Sequence, residues 1–207
     1  LSSEFIRQAM ASHSDLLAIK GRCNAYTGIG DPYLPFREIM DMLTGDIETR
    51  WAGGEITGQH ARRLWGGLTV VLPVILKHGQ NLINLLIPGA SLLARAQAAV
   101  PSQAAQLQTL LESRKSSKLE EAKLNQVDLF EEFTKVLQAL SQHHPLILIV
   151  DDLQWADPGS IGLLFHLGRR LRGSRILLIG AYRPEEVAMG QPSVDSGMER
   201  HPLAPVI

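Results

Sequence analysis

The sequence predicts an α/β domain built on a parallel sheet with helices packed on both faces, a three-layer arrangement. Three continuous apolar runs carry that prediction: Leu16-Leu17-Ala18-Ile19, Leu146-Ile147-Leu148-Ile149-Val150 and Ile176-Leu177-Leu178-Ile179. A strand that is apolar at every position must be covered on both sides, as interior strands of parallel sheets are. Stretches with helical apolar spacing separate these runs, and strand alternating with helix is the signature of a parallel sheet.

Taken in order, Leu1, Phe5, Ile6, Ala9 and Met10 share one helical stripe, which residues 12–15 close before the first strand. That strand ends at Lys20-Gly21-Arg22-Cys23, where Cys23 reads as a small buried residue. A turn-rich loop follows, with Gly28, Gly30 and Pro32. A lone Gly-x-Gly is weak evidence for phosphate binding, and this one reads as a lead into a helix over 35–43 with Pro35 in its first turn. Residues 44–124 lack strand alternation and are expected to be helical, cut into short pieces at Gly53-Gly54, Gly66-Gly67, Pro73, Pro88-Gly89 and Pro101. Residues 113–123 are polar and charged, as in a solvated helix or linker.

The core resumes with a helix whose stripe is Val127, Phe130, Phe133, Val136, Leu137 and Leu140, with Asn125 and Asp128 suited to capping its start. The second strand follows, with Pro145 at its entrance. Asp157 and Pro158 then open a helix over 158–172, with Ile161, Leu164, Phe165 and Leu171 on its buried side and Gly173 at its end. Arg169, Arg170 and Arg172 lie in the last turn, where positive charge complements the helix dipole better than it suggests a nucleic-acid patch. After the third strand comes Tyr182-Arg183-Pro184, then a stretch over 189–198 that reads as loop.

The second strand stops on Asp151 and Asp152. In open α/β sheets the carboxyl edge is where ligands sit. Two carboxylates there suit a hydrated Mg²⁺, which keeps most of its water and borrows one or two acidic oxygens. The string Val150-Asp151-Asp152-Leu153-Gln154-Trp155-Ala156-Asp157 resembles the Walker B region of STAND-type, AAA+-related P-loop ATPase modules, found in large bacterial signalling proteins such as LuxR-type regulators and multidomain nucleotide cyclases or kinases. Pro35-Phe36-Arg37-Glu38 is a second point of likeness, and the resemblance covers roughly 1–43 and 125–207.

The resemblance implies that Asp151 orients Mg²⁺, that Asp152 polarises the attacking water, and that Arg183 reads the γ-phosphate of ATP as a sensor residue. It implies an ATP-driven conformational switch controlling an attached output domain in the cytoplasm, with other domains of the parent chain as partners and self-association on ATP binding. It divides the chain into a first core part (1–43), a helical insertion (44–124) and a second core part (125–207). It also implies a central strand, between those of Asp151 and Arg183, bearing a Gly-x-x-x-x-Gly-Lys-Ser/Thr loop. No such string occurs in the 207 residues. The fold is therefore expected to be incomplete, a piece of something longer. Each unpaired buried ladder group costs about 1–3 kcal/mol, so the residues should either fold poorly or pair the two flanking strands.

Composition narrows the alternatives. A formal net charge of −1 gives no general pull toward nucleic acid or membrane. The single cysteine excludes an internal disulfide. His13, His60, His78, His143, His144, His166 and His201 show no paired ligand spacing for zinc. The apolar blocks within 64–96 are too short to span a bilayer. The competing function is a non-hydrolysing protein-interaction module that keeps the sheet and has lost nucleotide binding.

Overall fold

The computed structural model describes residues 2–25, 32–116, 125–189, 191–193, 197–199, 201 and 203. The loop glycines Gly28 and Gly30 lie outside the described residues, as does most of the charged stretch before residue 125. Three parallel strands form the sheet in the order β1 (Leu17–Arg22), β2 (Leu146–Asp151), β3 (Ile176–Gly180). Leu17 pairs with Leu146, which pairs with Ile176, and the register runs unbroken to Val150 beside Gly180.

That order corrects the expected topology. The strands leading to Asp152 and Arg183 are immediate neighbours, with no strand between them, as the second of the two alternatives requires. Among the described residues β1 and β3 are both edge strands, and along β3 Leu177 is 47% exposed while Ile176, Leu178 and Ile179 are only half-buried. The sequence run that reads as an interior strand is therefore an edge strand among the described residues. It has neither the charges nor the proline that usually blunt such an edge.

Side chains alternate across the sheet, and each face has its own cluster. On one face Ala18, Ile147 and Ile149 pack with Met10 and the half-buried Ile6 and Ala9 of α1 (Ser2–Ser12). On the other, Leu17, Ile19, Leu146, Leu148 and Val150 join a larger cluster with α2 (Leu34–Leu43), the helical segment and the two later helices. Phe36 of α2 meets Phe133 edge-on, with ring centroids 5.4 Å apart, and both are fully buried.

The segment after α2 is helical, as its pattern predicts: α3 (Glu48–Ala52), α4 (Gly58–His78), α5 (Gly89–Ala99) and α6 (Pro101–Ser116). Neither Gly66-Gly67 nor Pro73 breaks it where expected, because α4 runs through both for 21 residues. A proline inside a helix costs about 3 kcal/mol. Leu64, Leu68, Val71, Leu72, Ile75 and Leu76 are buried along α4, each worth about 1.5–3 kcal/mol, so packing wins. Thr57 caps α4 by accepting from the His60 N–H.

The first turns of α4 are bolted to the sheet. Buried His60 donates from Nε2 to the Ala18 carbonyl at 2.7 Å. Arg63 reaches the carbonyls of Met10 at 2.9 Å and His13 at 2.8 Å, closing the carboxyl end of α1. Among the described residues no helix is long and apolar enough to cross a membrane.

The later helices are α7 (Gln126–His143) and α8 (Pro158–Arg170), capped by Asn125 and Asp157 as expected. In α8 the deepest positions are Ile161, Leu163 and Leu167, with Leu171 just beyond, while Leu164 and Phe165 are half-buried. The expected stripe was rotated by about one residue, since apolar residues on both sides of it left its phase open. After β3 comes α9 (Pro184–Met189), and the stretch over 189–198 expected to be loop contains β4 (Gln191–Ser193) and the start of β5 (Gly197–Glu199), which pair antiparallel.

Candidate functional site

β2 delivers two carboxylates to the carboxyl edge of the sheet, and the backbone changes character between them. Asp151 closes the strand, half-buried and on the α1 face. Asp152 follows in the left-handed region, at φ 57° and ψ 42°. That conformation is uncommon for a side-chain-bearing residue, is most tolerated by Asn and Asp, and clusters at functional sites. It turns the chain sharply into a short helical turn at Leu153–Trp155.

Each acid has its own partner. The Lys20 ammonium lies 2.5 Å from Asp151 Oδ2, with both side chains about three-quarters buried at 22% and 25% exposure. Asp151 Oδ1 accepts from the Asp152 N–H at 3.2 Å. Asp152 Oδ1 accepts from Gln154 Nε2 at 3.1 Å, and Gln154 Oε1 accepts from the Arg183 N–H at 3.2 Å. Gln154, 2% exposed, thus joins the second acid to the main chain beyond β3. Buried His201 completes this corner. Its Nδ1 accepts from the Leu203 N–H, so its Nε2 carries the proton and donates to the Gln154 carbonyl at 2.9 Å.

The structure brings Asp151, Asp152 and the backbone of Arg183 to one edge, but it does not bring the Arg183 guanidinium onto the acids. Arg183 Nη1 donates to Glu186 Oε1 at 2.9 Å from a side chain that is 66% exposed. Lys20 and Gln154 contact the two acids and were not singled out by the sequence reasoning. Lys20 had a signal, a cation directly after the apolar run Leu16–Ile19 in a strand that ends on a second cation, Arg22. Gln154 had only its place inside the Asp151–Asp157 string.

Cys23 sits behind this edge, its N–H donating to the Asp151 carbonyl at 3.0 Å. Burial first, and then the charges of Asp157, Asp152, Glu38 and Asp151, push its thiol up to about 12, so it is inert as a nucleophile. Asp157 is occupied structurally: it accepts from the Ser160 N–H and hydroxyl and, at 3.2 Å, from the Tyr33 N–H.

The donor chemistry fits a hydrated divalent cation that takes one or two carboxylates, with waters and ligand oxygens filling the rest. Among the described residues no group of three or more His, Cys, Asp or Glu could hold a metal by itself.

The AAA ATPase domain family matches residues 3–179, spanning β1, the helical segment, β2 and nearly all of β3. The chain belongs to that family. Membership places it among nucleotide-binding ATPase modules, and the mixed α/β architecture with a small parallel sheet is consistent with their fold. The match includes Asp151 and Asp152 and ends short of Arg183. Neither a curated protein nor a solved structure gives a significant match.

Proposed function

We infer that the chain is part of an ATP-driven signalling switch, in which Mg²⁺·ATP binds at the carboxyl edge of the sheet and is slowly hydrolysed. The observation that carries this reading is the pair of acids ending the middle strand of a sheet that matches the AAA ATPase domain family. Asp151 holds the cation and its waters. Asp152 takes up the proton of the attacking water, and Arg183 leaves Glu186 to read the terminal phosphate with its forked donors. Bound Mg²⁺ supplies charge neutralisation for the phosphate oxygens. No Gly-x-x-x-x-Gly-Lys-Ser/Thr string occurs in the 207 residues, and a strand bearing such a loop would bring it to the same rim if it paired with the outer edge of β3. Nucleotide occupancy is relayed to an attached output domain and to self-association, in the cytoplasm.

Asp152→Asn in the natural polypeptide that contains these residues tests this. Asn tolerates the left-handed backbone and can keep a hydrogen bond to Gln154, so folding should be retained. ATP binding by calorimetry should be unchanged while turnover falls about 100-fold or more. Equal turnover in the variant would remove Asp152 from the chemistry. The Lys20–Asp151 and Arg183–Glu186 pairs favour a second reading, a sheet whose site is closed by its own ion pairs and serves only protein interaction. The same calorimetry decides, since that module binds no ATP.

A further inference from the structure

The ion pair at Asp151 stands beside a cavity of about 280 Å³. It lies between α1 and the first turn of α4, and Lys20 is part of its wall together with Met10, Met42, Arg50, Glu55 and His60. Lys20 therefore has two neighbours of opposite character: a carboxylate at the sheet edge and an open chamber at its flank. On the Asp151 side its ammonium is also 3.2 Å from Ser2 Oγ, at the start of α1. On the chamber side lies the Glu55 carboxylate, which also meets Arg22 at 2.6 Å and Arg50 at 3.5 Å.

We propose that Lys20 is a built-in counter-cation for Asp151, a positioning residue that holds the metal acid neutralised until a divalent cation displaces it into the α1–α4 cavity. This rests on the reading of Asp151 as the metal acid. An ammonium and a divalent cation compete for the same carboxylate, and two positive groups at one three-quarters-buried acid repel each other. The lysine stem is long and flexible enough to swing. The chamber gives the ammonium somewhere to go, so loading the site changes the cavity that touches both α1 and α4.

The test uses Mn²⁺ as the probe, with ATP, in the natural polypeptide, read by electron paramagnetic resonance. Lys20→Met keeps the length of the stem and removes the charge. It should bind Mn²⁺·ATP about tenfold more tightly than the native protein. Unchanged or weaker binding in Lys20→Met, with binding lost in Asp151→Asn, would overturn the role of Lys20 alone. Unchanged binding in Asp151→Asn would overturn the metal reading itself, and this proposal with it. A second measurement needs no variant: acetic anhydride labelling followed by mass spectrometry. Lys20 should label slowly in the metal-free protein and several-fold faster once Mg²⁺·ATP is added, while equal rates would refute the displacement.

Discussion

Gly21 is a point of close approach between the sheet and α2, and replacing it tests the packing that shapes the rim. A Cβ built there would lie 1.9 Å from the Pro35 carbonyl oxygen, 2.7 Å from its carbon and 2.9 Å from its Cα. Real contacts stay beyond 3.0 Å, so α2 or β1 must yield by more than 1 Å. The strand cannot yield cheaply, because Gly21 is in register with Val150 in the parallel ladder. The helix must therefore retreat, and it carries Phe36, Ile39, Met40, Met42 and Leu43, all 1% exposed or less. A gap approaching 1 Å forfeits about a quarter to a half of each dispersion contact. Overpacking of this kind costs about 1–3 kcal/mol, and a backbone obstacle puts Gly21→Ala at the upper end. For a chain of this size that lowers Tm by about 6–12 °C.

The matched control is Gly66→Ala within α4, where nothing lies within 4 Å of the added carbon. There alanine should stabilise by about 0.5–1 kcal/mol through helix propensity alone. Urea unfolding followed by circular dichroism measures both. If Gly21→Ala proves as stable as the native chain, the close approach of α2 to β1 is wrong, and the placement of Tyr33 and Asp157 at the rim falls with it.

Two further outcomes follow from side chains in the same region. Asp157→Ala removes the acceptor for the Ser160 N–H and hydroxyl and for the Tyr33 N–H, and should cost about 2 kcal/mol by urea titration, as strong helix caps do; a loss under about 0.5 kcal/mol would show that the cap is not formed. Asp41 has a buried, unpartnered Oδ1, and burial foremost, then the neighbouring Asp46, push its carboxyl up to about 6 against the pull of Arg95, Arg50 and Arg37. Its folded value exceeds the unfolded one, so its contribution is fully present below about pH 4 and is lost as pH rises through about 6. Asp41→Asn should therefore flatten the stability profile between those values, and a slope identical to that of the native chain would refute the assignment.

Much of the sheet was readable because consecutive apolar residues state burial directly. Leu146 to Val150 could only be an interior strand, and it is the middle one. Asn125 and Asp157 were readable for a different reason, since caps depend on neighbours one to three residues away. What escaped was whatever depends on distant partners. Ile176 to Ile179 have the same composition as an interior strand, and nothing local says that one side is open. The ammonium of Lys20 meets Asp151 across 130 intervening positions, and Gln154 meets the Arg183 N–H across the gap between two strands. Pro73 misled because a local rule was weighed without the six buried residues that override it. The acids were placed at the correct edge, but the side-chain direction of Arg183 was set by Glu186 one turn away.

The bolts from His60 and Arg63 give the 21 residues of α4 a mechanical meaning. A helix of that length is about 31 Å from foot to tip. Its foot is pinned to the end of α1 and to the strand bearing Lys20. A tilt of about 4° at the foot sweeps the tip through about 2 Å over that length. The helix is a lever arm whose fulcrum, at the Ala18–Ile147 pair, lies four register positions from Asp151 and whose far end packs on α7.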